Sequence, residues 1–383
     1  MARSREERTR AAPHVIGELR ADDFAPGPCL SSVSHRPALP CRLVSYLQAI
    51  VIALVQGVTE LFPVSSLGHS VIVPAWIGGS WQTLVTQSSQ GDSGSSFYLA
   101  FIVALHCATA LALLFFFRAD WVRIIGGFFR SARRSLRERQ FSVLDGDERL
   151  AWLIVIATIP VGLTGLALEH VFRTVFAKPL AASAFLFLNG LILLAAESAR
   201  RRGAAVSPED DAVRVGYGAP EDEGARAAPE TAGSAHTASG ARSADEVSVA
   251  YRSDQRIAGL SYRDAVYVGL FQVLALFAGI SRSGVSMVGG LLRGLSHEDA
   301  ARFSFLLATP VILAAGILKL PSLAGPAGEH IRGQLVVGAV ITGVVAYLSI
   351  RFLVRYFETR TLTPFAVYSL VVGGASIVRF AVG

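Results

Sequence analysis

The chain has 383 residues, of which 52% are hydrophobic and only 17% charged, and its mean hydropathy is +0.48. That composition excludes a soluble domain of this size and points to a polytopic membrane protein. The formal net charge of +6 comes mostly from arginines in loops and tails, a signal of cytoplasmic segments rather than of nucleic-acid binding.

Residues 1–42 are rich in Arg, Pro, Ala and Ser and are expected to be a disordered tail, or to follow from an upstream start not used in the cell. A first membrane repeat is expected over 43–200. It opens with apolar sequence up to Leu61, breaks at Pro63, and resumes as Leu67 to Ile77, a piece too short to cross a bilayer of about 30 Å. Two short apolar pieces around a break predict a re-entrant hairpin. Phe97–Phe117, Leu150–Glu169 and Pro179–Ala196 are each long enough to span. The arginine-rich stretch after Phe117 reads as a cytoplasmic loop, and so do Arg200, Arg201 and Arg202. Cys29, Cys41 and Cys107 have neither metal-ligand spacing nor the density of a disulfide framework.

Residues 201–258 change to Ala, Gly, Glu, Asp, Ser and Pro and are expected to form a disordered cytoplasmic loop. The second membrane repeat, 259–383, again begins with a broken hairpin, Tyr262–Phe277 and a short piece ending at Leu292. Three spans follow, roughly Ala300–Leu320, Leu335–Leu353 and Leu362–Val382. Aligning Gln56 with Gln272 brings Ser65 onto Ser281, Ser66 onto Arg282, Gly68 onto Gly284 and Ser70 onto Ser286 at one offset. Three spans per half invert the second repeat relative to the first. The expected fold is therefore an all-α polytopic membrane protein with about six transmembrane helices and two re-entrant hairpins in an inverted repeat.

The hairpins carry the polar residues. Gln56 and Glu60 share a helix face, Ser65 or Ser66 can cap the next helix, and His69 lies one turn in. Ionisable groups at membrane depth indicate a site. If the hairpins meet, Glu60, Ser65, Ser66 and His69 face Ser281, Arg282, Ser283, Gly284 and Ser286. Arg282, with a fork that matches phosphate oxygens, and two helix N-termini then suggest a phosphate or pyrophosphate pocket. Glu60 is expected to bind a divalent cation, with Gln56 completing the metal shell or orienting it, or else to act in proton transfer. His106 reads as a packing residue, and Glu169, His170 and Glu197 as solvated span ends.

At these residues the chain resembles the undecaprenyl-pyrophosphate phosphatase family, the bacitracin-resistance proteins of bacterial inner membranes. One motif stands as Gln56, Glu60, Pro63-Val64-Ser65-Ser66, Gly68 and His69. The other stands as Ala278-Gly279-Ile280-Ser281-Arg282-Ser283-Gly284-Val285-Ser286, with Ala278 where the family has Pro and Ser286 where it has Thr. The resemblance runs from about Val44 to the C-terminus; the tail and the long loop look additional.

The resemblance implies hydrolysis of undecaprenyl pyrophosphate to the monophosphate and phosphate, recycling the carrier lipid of cell-wall synthesis. It also implies Mg²⁺ or Ca²⁺ as activating cation and a site open to the periplasmic side. The loop charges agree with that orientation, but they would leave the arginine-rich tail periplasmic too. The expected catalytic residues are Glu60, Ser66, His69 and Arg282, with Ser66 as nucleophile and His69 as its base, or with water attacking and Ser66 only a ligand. Ser65, Ser281, Ser283, Gly284 and Ser286 are expected to bind substrate, and Glu60 and Gln56 the cation. Expected partners are the lipid and the membrane, with a homodimer left open and no nucleic acid. A polyprenyl-phosphate transporter or flippase of the same architecture is the alternative. A phosphatase of the acid-phosphatase type is disfavoured, because its basic and histidine signatures are absent.

Overall fold

A computed structural model describes residues 44–82, 84, 97–168, 178–206, 250–324 and 331–382. The expectations for residues 1–42, for Glu169 and His170 and for residues 207–249 of the long loop lie outside the described residues. Among the described residues every regular element is helical.

Each repeat opens in the same way. Helix α1, Tyr46–Thr59, starts at Ser45, whose hydroxyl accepts from the Gln48 amide while the Gln48 side chain accepts from the Ser45 amide. Helix α8, Tyr262–Val273, starts with the same reciprocal box between Ser261 and Asp264. Two otherwise orphaned amides are satisfied at each start, which fixes where each hairpin begins. Neither first helix continues into the second. The chain turns through residues 60–64 before α2, Ser66–Ile77, and passes a short 3₁₀ turn, Leu274–Leu276, before α9, Arg282–Leu292. All four helices are too short to span, as a re-entrant hairpin requires.

Between the hairpins lie α3 (Phe97–Phe116), α4 (Arg118–Glu138), α5 (Gly146–Ala167), α6 (Pro179–Val206) and α7 (residues 250–258). After them come α10 (His297–Ala324), α11 (Arg332–Thr359) and α12 (Thr363–Val382). Five of these helices are long and apolar enough to cross a membrane, and α3 with α4 makes a sixth if that bent pair counts as one span. The arginine-rich stretch expected to be a loop is the helix α4, turned by 86° from α3. It buries Ile124, Gly127 and Ser131 and exposes Val122, Ile125, Phe129 and Leu136, so a helical period organised what a count of charges registered only as loop. The predicted loop 201–258 is helical at both described ends, residues 201–206 extending α6 and residues 250–258 forming α7.

The two halves interlock in corresponding pairs. Helix α1 packs on α11 as α8 packs on α5, and the pairs α3–α10 and α6–α12 each join matching spans. One apolar core draws Leu113, Leu150 and Leu193 from the first half and Phe303, Leu306 and Ile350 from the second. At one end of the bundle, ion pairs replace apolar packing. Arg302 of α10 bonds Asp254 of α7 at 2.7 and 3.0 Å and approaches Asp120 of α4 at 3.1 Å. Arg123 reaches Asp254 and Asp147, and Arg256 holds Asp299 through two bonds of 2.7 Å. Thus α7 is latched onto the spans by charge. Glu197, expected to be solvated, is 4% exposed and meets His297 at 2.9 Å; its position near a helix end concealed a partner on α10.

Candidate active site

The two hairpin breaks meet. The Gly279 amide donates to the Ser65 hydroxyl at 3.2 Å, and the Ser281 and Ser283 hydroxyls lie 3.4 and 3.3 Å from the Phe62 carbonyl. Close approach needs small residues here: a Cβ on Gly68 would come within 2.9 Å of the Gly279 Cα, and Gly279 itself has φ of 116°. Asn189 of α6 clips the junction from the side. Its amide nitrogen donates to the Pro63 carbonyl at 3.0 Å and its oxygen accepts from the Ser281 amide at 3.0 Å.

Each second helix starts at a capping serine, Ser65 or Ser281, whose hydroxyl accepts from the amide of Gly68 or Gly284 at 3.2 Å. Such a cap takes one of the first amides and leaves others for a ligand, so two helix N-termini converge with their positive dipole ends. Ser65 adopts φ of 69°, an uncommon conformation for a residue with a Cβ, and it is held by the cap and by Gly279.

Glu60 stands at the centre. Arg282 pairs with its Oε1, and the Ser66 hydroxyl donates to its Oε2. Gln56 donates to Oε2 at 2.9 Å, and His106 Nε2 lies 3.1 Å from the same atom. The buried network therefore joins α1, α2, α3 and α9. His106, expected to pack, belongs to it. The His106 Nδ1 is 2.8 Å from the Ile102 carbonyl, which only accepts, so Nδ1 carries a proton. The contact between Nε2 and Glu60 then holds a further proton, on one atom or the other. Sequence offered a lone histidine in an apolar span, and its intramembrane position was the signal that could have marked it.

His69 faces elsewhere. Its Nδ1 donates to the Ser65 carbonyl at 2.7 Å, and its Nε2 accepts from Tyr368 at 2.9 Å, with the two rings stacked. The geometry joins Ser66 to Glu60, while His69 bonds the carbonyl of Ser65. Ser286 bonds the Arg282 carbonyl at 2.8 Å and steadies the first turn of α9. Ser283 and Gly284 line the junction.

The predicted cation ligands, Glu60 and Gln56, bond to protein groups in this structure. Both Glu60 oxygens receive donors, one of them the Arg282 guanidinium, and Gln56 donates its N–H to Glu60 while its Oε1 is buried without a hydrogen-bond partner. A hard divalent cation takes about six to eight oxygens, and among the described residues no three His, Cys, Asp or Glu are grouped to hold an ion. The donor set suits an anion.

A family profile described as bacitracin resistance protein BacA matches residues 49–219 and 228–375. The chain belongs to this family. Among its relatives, undecaprenyl-diphosphatase 2 of Frankia alni is 58% identical over 350 residues, covering 88% of this chain and 99% of that protein. The undecaprenyl-diphosphatases of Mycolicibacterium paratuberculosis and Mycobacterium avium are each 53% identical over 338 residues, covering 88% of this chain and 98% of theirs. In this BacA-family chain, the matched ranges take in the second hairpin, all but the first residues of the first, Asn189 and His106.

Proposed function

We propose that the chain is an integral membrane phosphatase that hydrolyses undecaprenyl diphosphate to undecaprenyl phosphate and inorganic phosphate, returning the carrier lipid to cell-wall synthesis. The shared name of the relatives supports the substrate. The observation that carries the chemistry is the contact of one carboxylate, Glu60, with a hydroxyl, Ser66, and a guanidinium, Arg282, where two helix N-termini meet. The setting is the bacterial inner membrane, with the site open to the periplasmic side; the arginines of α4 and of the end of α6 support that orientation.

In this reading the pyrophosphate takes Arg282 and the free amides of α2 and α9, and Glu60 is released from the guanidinium. Glu60 accepts the Ser66 proton as Oγ attacks the terminal phosphorus. The bond to the bridging oxygen breaks, and undecaprenyl phosphate leaves. Water then cleaves the phosphoserine to give inorganic phosphate and restore Ser66. Charge building on the transferring group is met by Arg282 and the helix ends, the dominant contribution in such reactions. Glu60 replaces His69 as the base, because the Ser66 hydroxyl points to it. A direct attack by water, with Ser66 only a ligand, remains the other course of the same reaction. Any requirement for Mg²⁺ or Ca²⁺ belongs, in this proposal, to the pyrophosphate and not to Glu60 and Gln56. The groups invoked all come from one chain, so a homodimer is not needed for the chemistry.

The inverted repeat and broken helices also favour a lipid flippase as a second reading. The purified chain in detergent, with no membrane to cross, separates them. Phosphate released from undecaprenyl diphosphate supports the phosphatase; folded, monodisperse protein that releases none with Mg²⁺, Ca²⁺ or chelator would favour the flippase.

A further inference from the structure

An open groove lies on the last turns of α11, away from the hairpin junction. Its volume is about 470 Å³. Arg351, Arg355 and Arg360, with the Thr359 hydroxyl, form its polar side, and Leu348, Phe352 and Tyr356 form its apolar wall. Glu358, the one acidic residue between 348 and 360, does not line it. It lies instead within electrostatic range of Glu298 on α10. That places the groove at the same end of the bundle as the ion pairs of Arg302 with α4 and α7.

The apolar wall continues beyond the groove. Val336, Val340, Val344, Leu348 and Phe352, each four residues from the next, are all more than half exposed. Residues four apart form a ridge on a helix surface, and this ridge leads along a spanning helix to three guanidiniums at its end. Hydrocarbon beside the ridge with an anion at the end is the shape of a lipid. Guanidinium forks bind phosphate oxygens, and basic residues near a bilayer surface attract anionic headgroups at about 1 kcal/mol each.

We propose that this groove is a binding site for an anionic glycerophospholipid of the bilayer, with its phosphate among Arg351, Arg355 and Arg360 and an acyl chain along Leu348, Phe352 and the valine ridge. The site is separate from the catalytic junction, yet one aromatic contact links them: Phe352 stacks on Phe62, with centroids 5.9 Å apart, two residues after Glu60. The proposal does not depend on the hydrolytic activity.

The test is native mass spectrometry of the full chain in detergent, titrated with dioleoyl phosphatidylglycerol, with dioleoyl phosphatidylcholine, and with phosphatidylglycerol plus millimolar inorganic phosphate. The expected result is saturable binding of phosphatidylglycerol, weaker binding of phosphatidylcholine, and roughly tenfold or greater loss of the former in the Arg351→Gln/Arg355→Gln/Arg360→Gln variant. Equal binding by parent and variant would overturn the site. Displacement by inorganic phosphate would overturn the lipid as its occupant in favour of a free anion. If the triple variant does not fold, Arg360→Gln alone, at the C-cap outside the helix, is expected to lose several-fold, and an unchanged affinity there counts equally against the proposal.

Discussion

The two hairpins share nearly all of their scaffolding and little of their chemistry. Both begin with a serine capping box, both bury a glutamine at the corresponding position, and both restart at a serine whose hydroxyl caps the second helix. Side chains then diverge at matching places. Glu60, Ser66 and His69 of the first correspond to Leu276, Arg282 and Val285 of the second. One hairpin supplies the carboxylate and the hydroxyl, the other the guanidinium. Backbone amides at both helix starts make the pocket attractive to anions in either case, so the repeat provides the cradle, and in the proposed reaction the differing side chains would direct the chemistry.

The widest break in that division of labour is removal of the cation. Arg282→Ala is expected to lower phosphate release from undecaprenyl diphosphate on the order of 10³-fold, since Glu60 would then face the substrate unneutralised; activity within tenfold of the parent would refute its role. On the first hairpin, Ser66→Ala should cost about 10²-fold or more if Oγ attacks phosphorus. Trapping of a phosphorylated parent by acid quench, absent in Ser66→Ala, would settle the nucleophile, whereas a fully active Ser66→Ala enzyme assigns the attack to water. His106→Gln retains a hydrogen bond to Glu60 but cannot carry an imidazolium proton. A loss of about tenfold in kcat with little change in KM is expected, and an unchanged kcat would make His106 a packing residue after all. The smallest and most pointed contrast is between the paired glutamines. Gln56 bonds Glu60, whereas Gln272 bonds the Ala157 carbonyl at 3.3 Å. Gln56→Ala should reduce activity several-fold, while Gln272→Ala should leave kcat near the parent value and lower stability by about 1 kcal/mol in a thermal melt.

Much of this was legible along the chain because spans, breaks and motif residues are local. The apolar runs gave the helices, and Pro63 and the Gly279–Ser283 stretch marked the breaks. Contacts between distant spans were not legible. Asn189, His106 and Tyr368 are polar residues inside apolar runs, and they have partners far along the chain: Asn189 meets Pro63 and Ser281, and Tyr368 meets His69 across 299 positions. Period and composition cannot say which face of a buried helix meets which neighbour. The same limit hid the orientation of Ser66. Spacing put His69 near the hydroxyl, but the turn at Ser65 points the hydroxyl to Glu60. The character of α4 was missed for a different reason, since counting its arginines drew attention from the period of Ile124, Gly127 and Ser131.

The pairing of Arg282 with Glu60 also bears on how a cycle would finish. Carboxylate and phosphate compete for a single guanidinium, so the affinity for substrate is a difference between two strong attractions rather than either one alone. When the scissile bond breaks and phosphate begins to leave, the carboxylate is already at hand to retake the cation. In the proposed reaction the same carboxylate that yields the guanidinium to substrate would thus help to expel the product.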